Sequence, residues 1–164
     1  NFALELAKKS GKKITFIATC ALKDKEMKKR IRLHRALRPR SWNTLEEFYN
    51  LNESLDKIEE GSGAIIDCIG IYIGNLFHKK ISDKKIIENI KEFVNRISRS
   101  DRHIFIVSNE VGSGVVPPSA SGRQFRDILG IVNQLIAEKS DEVYLVTAGI
   151  PLQIKAKSNS ERKI

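Results

Sequence analysis

His34 stands among cations: Arg30 and Arg38 lie four residues to either side, and Arg35 is adjacent. On a helix over about 24–37, Met27, Ile31 and His34 follow the i, i+4, i+7 spacing that puts them on one inward face. A histidine so placed is most often a packed, hydrogen-bonded core side chain. Its company suggests a second use. Like charges disfavour protonation, so the imidazole is expected to be neutral and nucleophilic near pH 7. The same guanidinium groups would hold and neutralise a triphosphate attacked at phosphorus, and the product of that attack is a phosphoramidate.

Other able residues follow short apolar runs. The run at 14–18 leads to Thr19 and Cys20, and that at 64–66 to Asp67 and Cys68. The run at 104–107 leads to Ser108, Asn109 and Glu110, then Gly112-Ser113-Gly114; that at 143–146 leads to Thr147 and Gly149. Ligands of open parallel sheets bind beyond the carboxyl ends of the strands, so four such endings favour a site. Asp67 stands where a carboxylate holds Mg²⁺ in phosphate-handling sheets, although it could equally cap the segment that follows. The glycine pair reads as a turn, too short for a phosphate cradle. Cys20 and Cys68 read as small buried hydrophobes sooner than as nucleophiles.

The elements that must position these groups alternate. Continuous apolar runs suit strands buried on both faces of a parallel sheet. Residues 83–99 place Ile86, Ile90, Phe93 and Ile97 on one helical stripe. Residues 122–138 do the same with Phe125, Ile128, Leu129, Val132, Leu135 and Ile136. Thr44 and Glu47 form a capping-box pattern, which predicts a helix from there to about Leu55, and Gly11 is placed to close the first helix. Strands alternating with helices imply right-handed crossovers and a three-layer α/β sandwich. One domain is expected over 1–155, with a polar tail at 156–164.

Composition bounds the rest. The chain has 164 residues, 41% hydrophobic and 30% charged, which is a globular balance. No apolar run nears the roughly 20 residues of a membrane span. Two cysteines make neither a disulfide framework nor a zinc site, which suits a reduced, cytoplasmic protein. The chain opens on Asn1 directly into a helical pattern without a secretory leader, so a start inside a longer polypeptide is expected. Of the net charge of +9, residues 1–50 carry +8, densest over 23–40 with Lys28, Lys29, Arg30, Arg32, Arg35, Arg38 and Arg40. Such a patch is either a solvated helix face or an attractor of phosphate.

The run from Arg30 to Pro39, then Trp42, Thr44 and Glu46, resembles the central motif of the adenosylcobinamide kinase/adenosylcobinamide-phosphate guanylyltransferase family. Further matching residues are Phe16-Ile17-Ala18-Thr19, Ile66-Asp67-Cys68 with Asn75-Leu76, and Ser108-Asn109-Glu110-Val111-Gly112. Val116-Pro117, Arg123, Phe125-Arg126-Asp127, Gly130, Asn133-Gln134, Asp141-Glu142-Val143 and Gly149-Ile150-Pro151 continue in unbroken order to about Lys155. The resemblance implies a P-loop NTPase-like (RecA-like) fold and two reactions of cobalamin assembly. ATP or GTP phosphorylates a hydroxyl of adenosylcobinamide. GTP then guanylylates a histidine, and the GMP passes to adenosylcobinamide phosphate, giving adenosylcobinamide-GDP. By motif matching, His34 falls at the position of the guanylylated histidine. Ala18, Thr19, Cys20, Arg35, Ala36, Leu37, Arg38, Glu46 and Asp67 fall at nucleotide-contacting positions, and Asn109 and Glu110 are candidates for the corrinoid. Mg²⁺ is the implied cofactor, with Asp67 its candidate ligand, and a homo-oligomer, a trimer in characterised relatives, is the implied assembly.

Two departures stand out. Relatives begin with a strand and a G-x-x-x-x-G-K-[ST] loop before the helix that here starts the chain, and neither is in this sequence; a shortened chain is expected. Cys20 and Asp67 stand where relatives often carry serine or glutamate. Two other readings remain. A nucleic-acid-binding module could use the basic segment, although that segment lacks aromatic residues for base stacking apart from Trp42 beyond its end. A plain kinase on the same sheet would leave no nucleotide on the protein. No nucleic-acid partner and no membrane span are expected.

Overall fold

The computed structural model describes residues 2–21, 32 and 35–157. Helix α1 (Phe2–Lys9) leads into β1 (Ile14–Ala18) through Gly11, whose φ of 65° is the left-handed conformation that ends a helix at low cost to glycine. Then follow β2 (Asn43–Glu46), α2 (Leu51–Leu55), β3 (Gly63–Asp67), α3 (Ile69–His78), α4 (Asp83–Ile97), β4 (His103–Val107), α5 (Ala120–Lys139), β5 (Val143–Thr147) and β6 (Ile150–Lys155). His34, most of the predicted helix over 24–37 and residues 158–164 of the tail lie outside the described residues, while Arg32, Arg35 and Ala36 are helical.

Four strands form one parallel sheet in the order β2-β1-β3-β4. The register sets side chains in rows: Thr44, Phe16, Ile65 and Phe105 lie in one, and Glu46, Ala18, Asp67 and Val107 lie two residues further on, facing the same way. That face is covered by α1, with Ala7, Ile14, Phe16 and Ile65 buried together and Leu4 and Trp42 against them. The opposite face meets the larger core, in which Ile17, Ala64 and Ile66 pack on α3, α4 and α5. The two layers of helix and the sheet between them are the expected sandwich. The apolar stripes also fall as expected: Ile86, Ile90, Phe93 and Val94 are buried on α4, and Ile128, Leu129, Val132 and Ile136 on α5. Serines close both helix starts, Ser82 accepting from Lys85 N and Ser119 from Gly122 N.

Three expectations are corrected. The Thr44/Glu47 pattern does not open a helix; residues 43–46 are a strand beside β1, and α2 begins only at Leu51. Glu47 caps a turn instead, accepting from Tyr49 N and Asn50 N at 2.9 Å each. Asp67 is not the cap of α3, since that position is Cys68. The fourth apolar run is not a buried parallel strand: β5 pairs antiparallel with β6, and Val146 is 47% exposed. Ala148 and Gly149 both have positive φ, the geometry of a tight hairpin turn, so Thr147 and Gly149 stand apart from the parallel strand ends. An apolar run announces a strand but not its partner. The third run, β4, is half-buried because it edges the sheet among the described residues. The hairpin is tied down by Tyr144 packing edge-on against Phe2, and by Lys155 Nζ donating to the carbonyls of Ala137 and Glu138.

Tyr72 on α3 is almost wholly buried, and its hydroxyl donates to the Tyr49 carbonyl at 3.2 Å. Burial above all pushes its pKa up to about 12. The folded state therefore keeps the phenol proton longer than the unfolded chain, whose tyrosines ionise near pH ~10. The stabilisation that follows is complete below about pH 10 and is lost as the pH rises through about 12. In an alkaline titration read by tyrosinate absorbance and far-UV circular dichroism, Tyr72 should ionise together with unfolding. Tyr72→Phe should flatten the fall in stability over that interval; an unchanged pH profile would contradict it.

Candidate functional site

The row Glu46, Ala18, Asp67 lies at the carboxyl ends of three adjacent parallel strands, with Ala18 in the middle and a carboxylate on either side. Backbone and side-chain bonds hold this platform in register beyond the strands. Thr19 N donates to the Asp67 carbonyl at 3.2 Å, and Glu47 N to the Ala18 carbonyl at 3.0 Å. Thr19 is fully buried, and its hydroxyl donates to the Cys68 carbonyl at 2.8 Å. From α3, the buried amide of Asn75 donates to the carbonyls of Thr19 (2.8 Å) and Phe48 (3.2 Å). The segments after β1 and β2 are thereby fastened to one helix. A buried amide that satisfies two otherwise stranded carbonyls is costly to replace with an apolar group.

Arg38 comes to the same face. Its guanidinium carbon lies 3.2 Å from the centroid of the Phe16 ring, a cation–π stack on the row just below Asp67. The Nε is buried and has no hydrogen-bond partner among the described residues. Burial lowers the arginine's pKa, and the Asp67 carboxylate opposes that shift while Arg35 adds to it. Arg35, Ala36 and Leu37 are exposed, and the turn is closed by Arg38 N donating to the Arg35 carbonyl.

The Cys68 thiol is pushed up chiefly by burial, and the charges of Asp67 and Cys20 add to the shift. It therefore stays protonated near neutrality and donates to Asn109 Oδ1 at 3.4 Å, as suits a buried structural thiol. Asn109 is seated rather than free to swing: a Cβ on Gly70 would collide with its Oδ1, and its carbonyl accepts from Asn133 Nδ2 at 3.0 Å. Asn133 in turn accepts from the Ser108 hydroxyl at 2.6 Å, which links β4 to α5. Glu110 folds back to accept from Gly112 N. The structure thus brings together Ala18, Thr19, Cys20, Glu46, Asp67 and Arg38, and joins Asn109 to them through Cys68. Glu110 is turned to its own loop.

Two residues that shape this site were not singled out by sequence reasoning as site residues. Phe16 is indistinguishable from any core position of a buried strand. Asn75 did carry a signal, as a polar residue inside an apolar helical run that no turn or cap requires.

Among the described residues there is no group of three or more His, Cys, Asp or Glu that could hold a metal ion. A single protein carboxylate still suits Mg²⁺, which keeps several waters and takes its other ligands from phosphate oxygens. Asp67, half-buried at a strand end, has that character.

A parallel sheet between layers of helix, with carboxylates, a buried hydroxyl and a guanidinium gathered towards its strand ends, is the architecture of the P-loop NTPase-like α/β class. Comparison with known proteins narrows the class. The model of the family "cobinamide kinase / cobinamide phosphate guanyltransferase" matches residues 1–154, and the chain belongs to that family. It is 34% identical over 155 residues to the bifunctional adenosylcobalamin biosynthesis protein CobU of Escherichia coli K12, covering 87% of this chain and 86% of that protein. It is 36% identical over 155 residues to the corresponding CobP of Pseudomonas aeruginosa PAO1, covering 93% and 88%. CobU of Salmonella typhimurium LT2 is 32% identical over 155 residues, covering 87% and 86%. The chain is thus an enzyme of the bifunctional kinase and guanylyltransferase kind. No helix among the described residues is long and apolar enough to cross a membrane.

Proposed function

We propose that this enzyme handles nucleotide at the carboxyl ends of β1, β2 and β3 and there transfers GMP from GTP to adenosylcobinamide phosphate by way of His34. An imidazole nitrogen of His34 attacks the α-phosphorus of GTP, the bond from that phosphorus to the bridging oxygen breaks, and pyrophosphate leaves. A phosphate oxygen of adenosylcobinamide phosphate then attacks the same phosphorus. The P–N bond breaks, the imidazole is restored, and adenosylcobinamide-GDP forms. In the kinase step, the substrate hydroxyl of adenosylcobinamide takes the γ-phosphoryl of ATP or GTP and gives up its proton.

The observation that carries this reading is Arg38, a guanidinium stacked on Phe16 within the field of Asp67 at the end of a parallel strand. A cation so held meets charge developing on phosphate oxygens without reorganising. Arg35 adds positive charge on the solvent side. Ala18, Thr19 and Cys20 supply the floor, which the Asn75 amide keeps from shifting. Asp67 would hold Mg²⁺, whose chemistry there is to neutralise the leaving pyrophosphate. Asn109, held against the start of α3, is the candidate contact for the corrinoid.

With GTP, Mg²⁺ and adenosylcobinamide phosphate, the protein should release one pyrophosphate for each adenosylcobinamide-GDP formed, measured by chromatography of both products. Consumption of GTP to GDP and phosphate alone, with no pyrophosphate, would favour a plain kinase and overturn the guanylyl transfer.

A further inference from the structure

We infer that Phe16 is a positioning residue for nucleotide transfer: its ring fixes the Arg38 guanidinium at the phosphate end of the sheet. The inference rests on Arg38 being a nucleotide contact, as proposed above, and goes beyond it in assigning a working part to a core aromatic residue.

Three observations carry it. Phe16 is 1% exposed, and its register partners Thr44 and Ile65 hold it one row below the Glu46, Ala18, Asp67 row, on the same face. A two-residue step along a strand is about 7 Å, so a cation lying on the ring is about one side-chain length from the strand ends. The central carbon of the guanidinium sits over the ring, 3.2 Å from its centroid. Among the described residues the buried Nε has no hydrogen-bond partner, so no hydrogen bond at that nitrogen orients the group and the ring contact is left to do so. Arginine is suited to the arrangement because its planar cation can stack with one face while its terminal nitrogens stay free to donate.

Phe16 also packs with Ala7, Ile14 and Ile65, and loss of that packing would lower stability with no special bearing on nucleotide. The two roles separate in a double-mutant cycle. Protein guanylylation by GTP is measured for the parent, Phe16→Leu, Phe16→Tyr, Arg38→Ala and the Phe16→Leu/Arg38→Ala pair, each checked for folding by circular dichroism. Phe16→Met replaces Phe16→Leu should the latter not fold.

A half-buried cation–π contact, between the exposed and desolvated limits, corresponds to about a tenfold change in apparent GTP affinity. Phe16→Leu should raise KM for GTP by about that factor with little change in kcat, and Phe16→Tyr, which keeps a ring face, should restore it. Added to Arg38→Ala, Phe16→Leu should have no further effect on KM. A KM that rises by the same factor whether or not Arg38 is present would overturn the inference, as would failure of Phe16→Tyr to recover it. Full GTP use by Arg38→Ala alone would instead remove the nucleotide contact on which the inference rests.

Discussion

Replacement of His34 by alanine should abolish incorporation of label from GTP radiolabelled at the α-phosphate, while phosphorylation of adenosylcobinamide continues. Loss of a covalent nucleophile costs on the order of 10⁴-fold or more, since no neighbouring group takes over a displacement that needs an attacking atom in line. The adduct of the parent protein should be lost in acid and survive base, the behaviour of a phosphoramidate. His34 itself lies outside the described residues, but the chain tethers it to Arg38. Arg38 is four positions on, and four residue steps span at most about 14 Å even when fully extended. Arg38 is anchored on Phe16, one row below the strand ends. Chain length therefore keeps residue 34 within that distance of Arg38. Label that persists undiminished in His34→Ala would end the proposal, and loss of the kinase reaction along with it would mean that the variant is damaged more widely.

How much of this was legible beforehand depended on whether the information was local. Ile14 to Ala18 and Gly63 to Asp67 form central strands, and their unbroken apolar character follows from helices covering both faces. Helices α4 and α5 are long enough for a 3.6-residue stripe to be unambiguous. Residues 43–46 misled because Glu47 three residues after Thr44 imitates a capping box, whereas its carboxylate closes a turn after a strand. Residues 143–146 misled because pairing is a non-local property: the partner of β5 contains Pro151, which reads poorly as strand yet is tolerated where an exposed ribbon asks no ladder bond of it. At the site, Asp67 and Thr19 were visible as strand endings. The stack of Arg38 on Phe16 joins residues from two separate elements, and the Asn75 amide reaches two loops far from it in sequence. Neither leaves a periodic trace. The family resemblance pointed to Asn75 without a reason, and the two carbonyls it satisfies supply one.

Arg38→Ala should lower kcat/KM for GTP in guanylylation by about 10²-fold, the loss typical of removing one preorganised donor from developing phosphate charge. Arg40→Ala should cost less than about threefold, the effect of one exposed charge seen through solvent and salt. The two arginines are two residues apart in one basic segment, so a charge map does not separate them; their surroundings do. Arg38 is half-buried, stacked and in the field of Asp67, while Arg40 is exposed. Arg38→Lys makes the distinction sharper. It keeps the charge but gives up the planar face and the forked donors, so a fixed guanidinium should be only partly replaced, whereas a diffuse field would accept lysine fully. Salt provides the last discriminator: the Arg40→Ala deficit should fade as ionic strength rises to about 0.5 M, where screening acts within a few ångströms, and the Arg38→Ala deficit should remain. Equal losses at both positions, fading together with salt, would mean that the segment only attracts the nucleotide and that Arg38 has no place in the transfer.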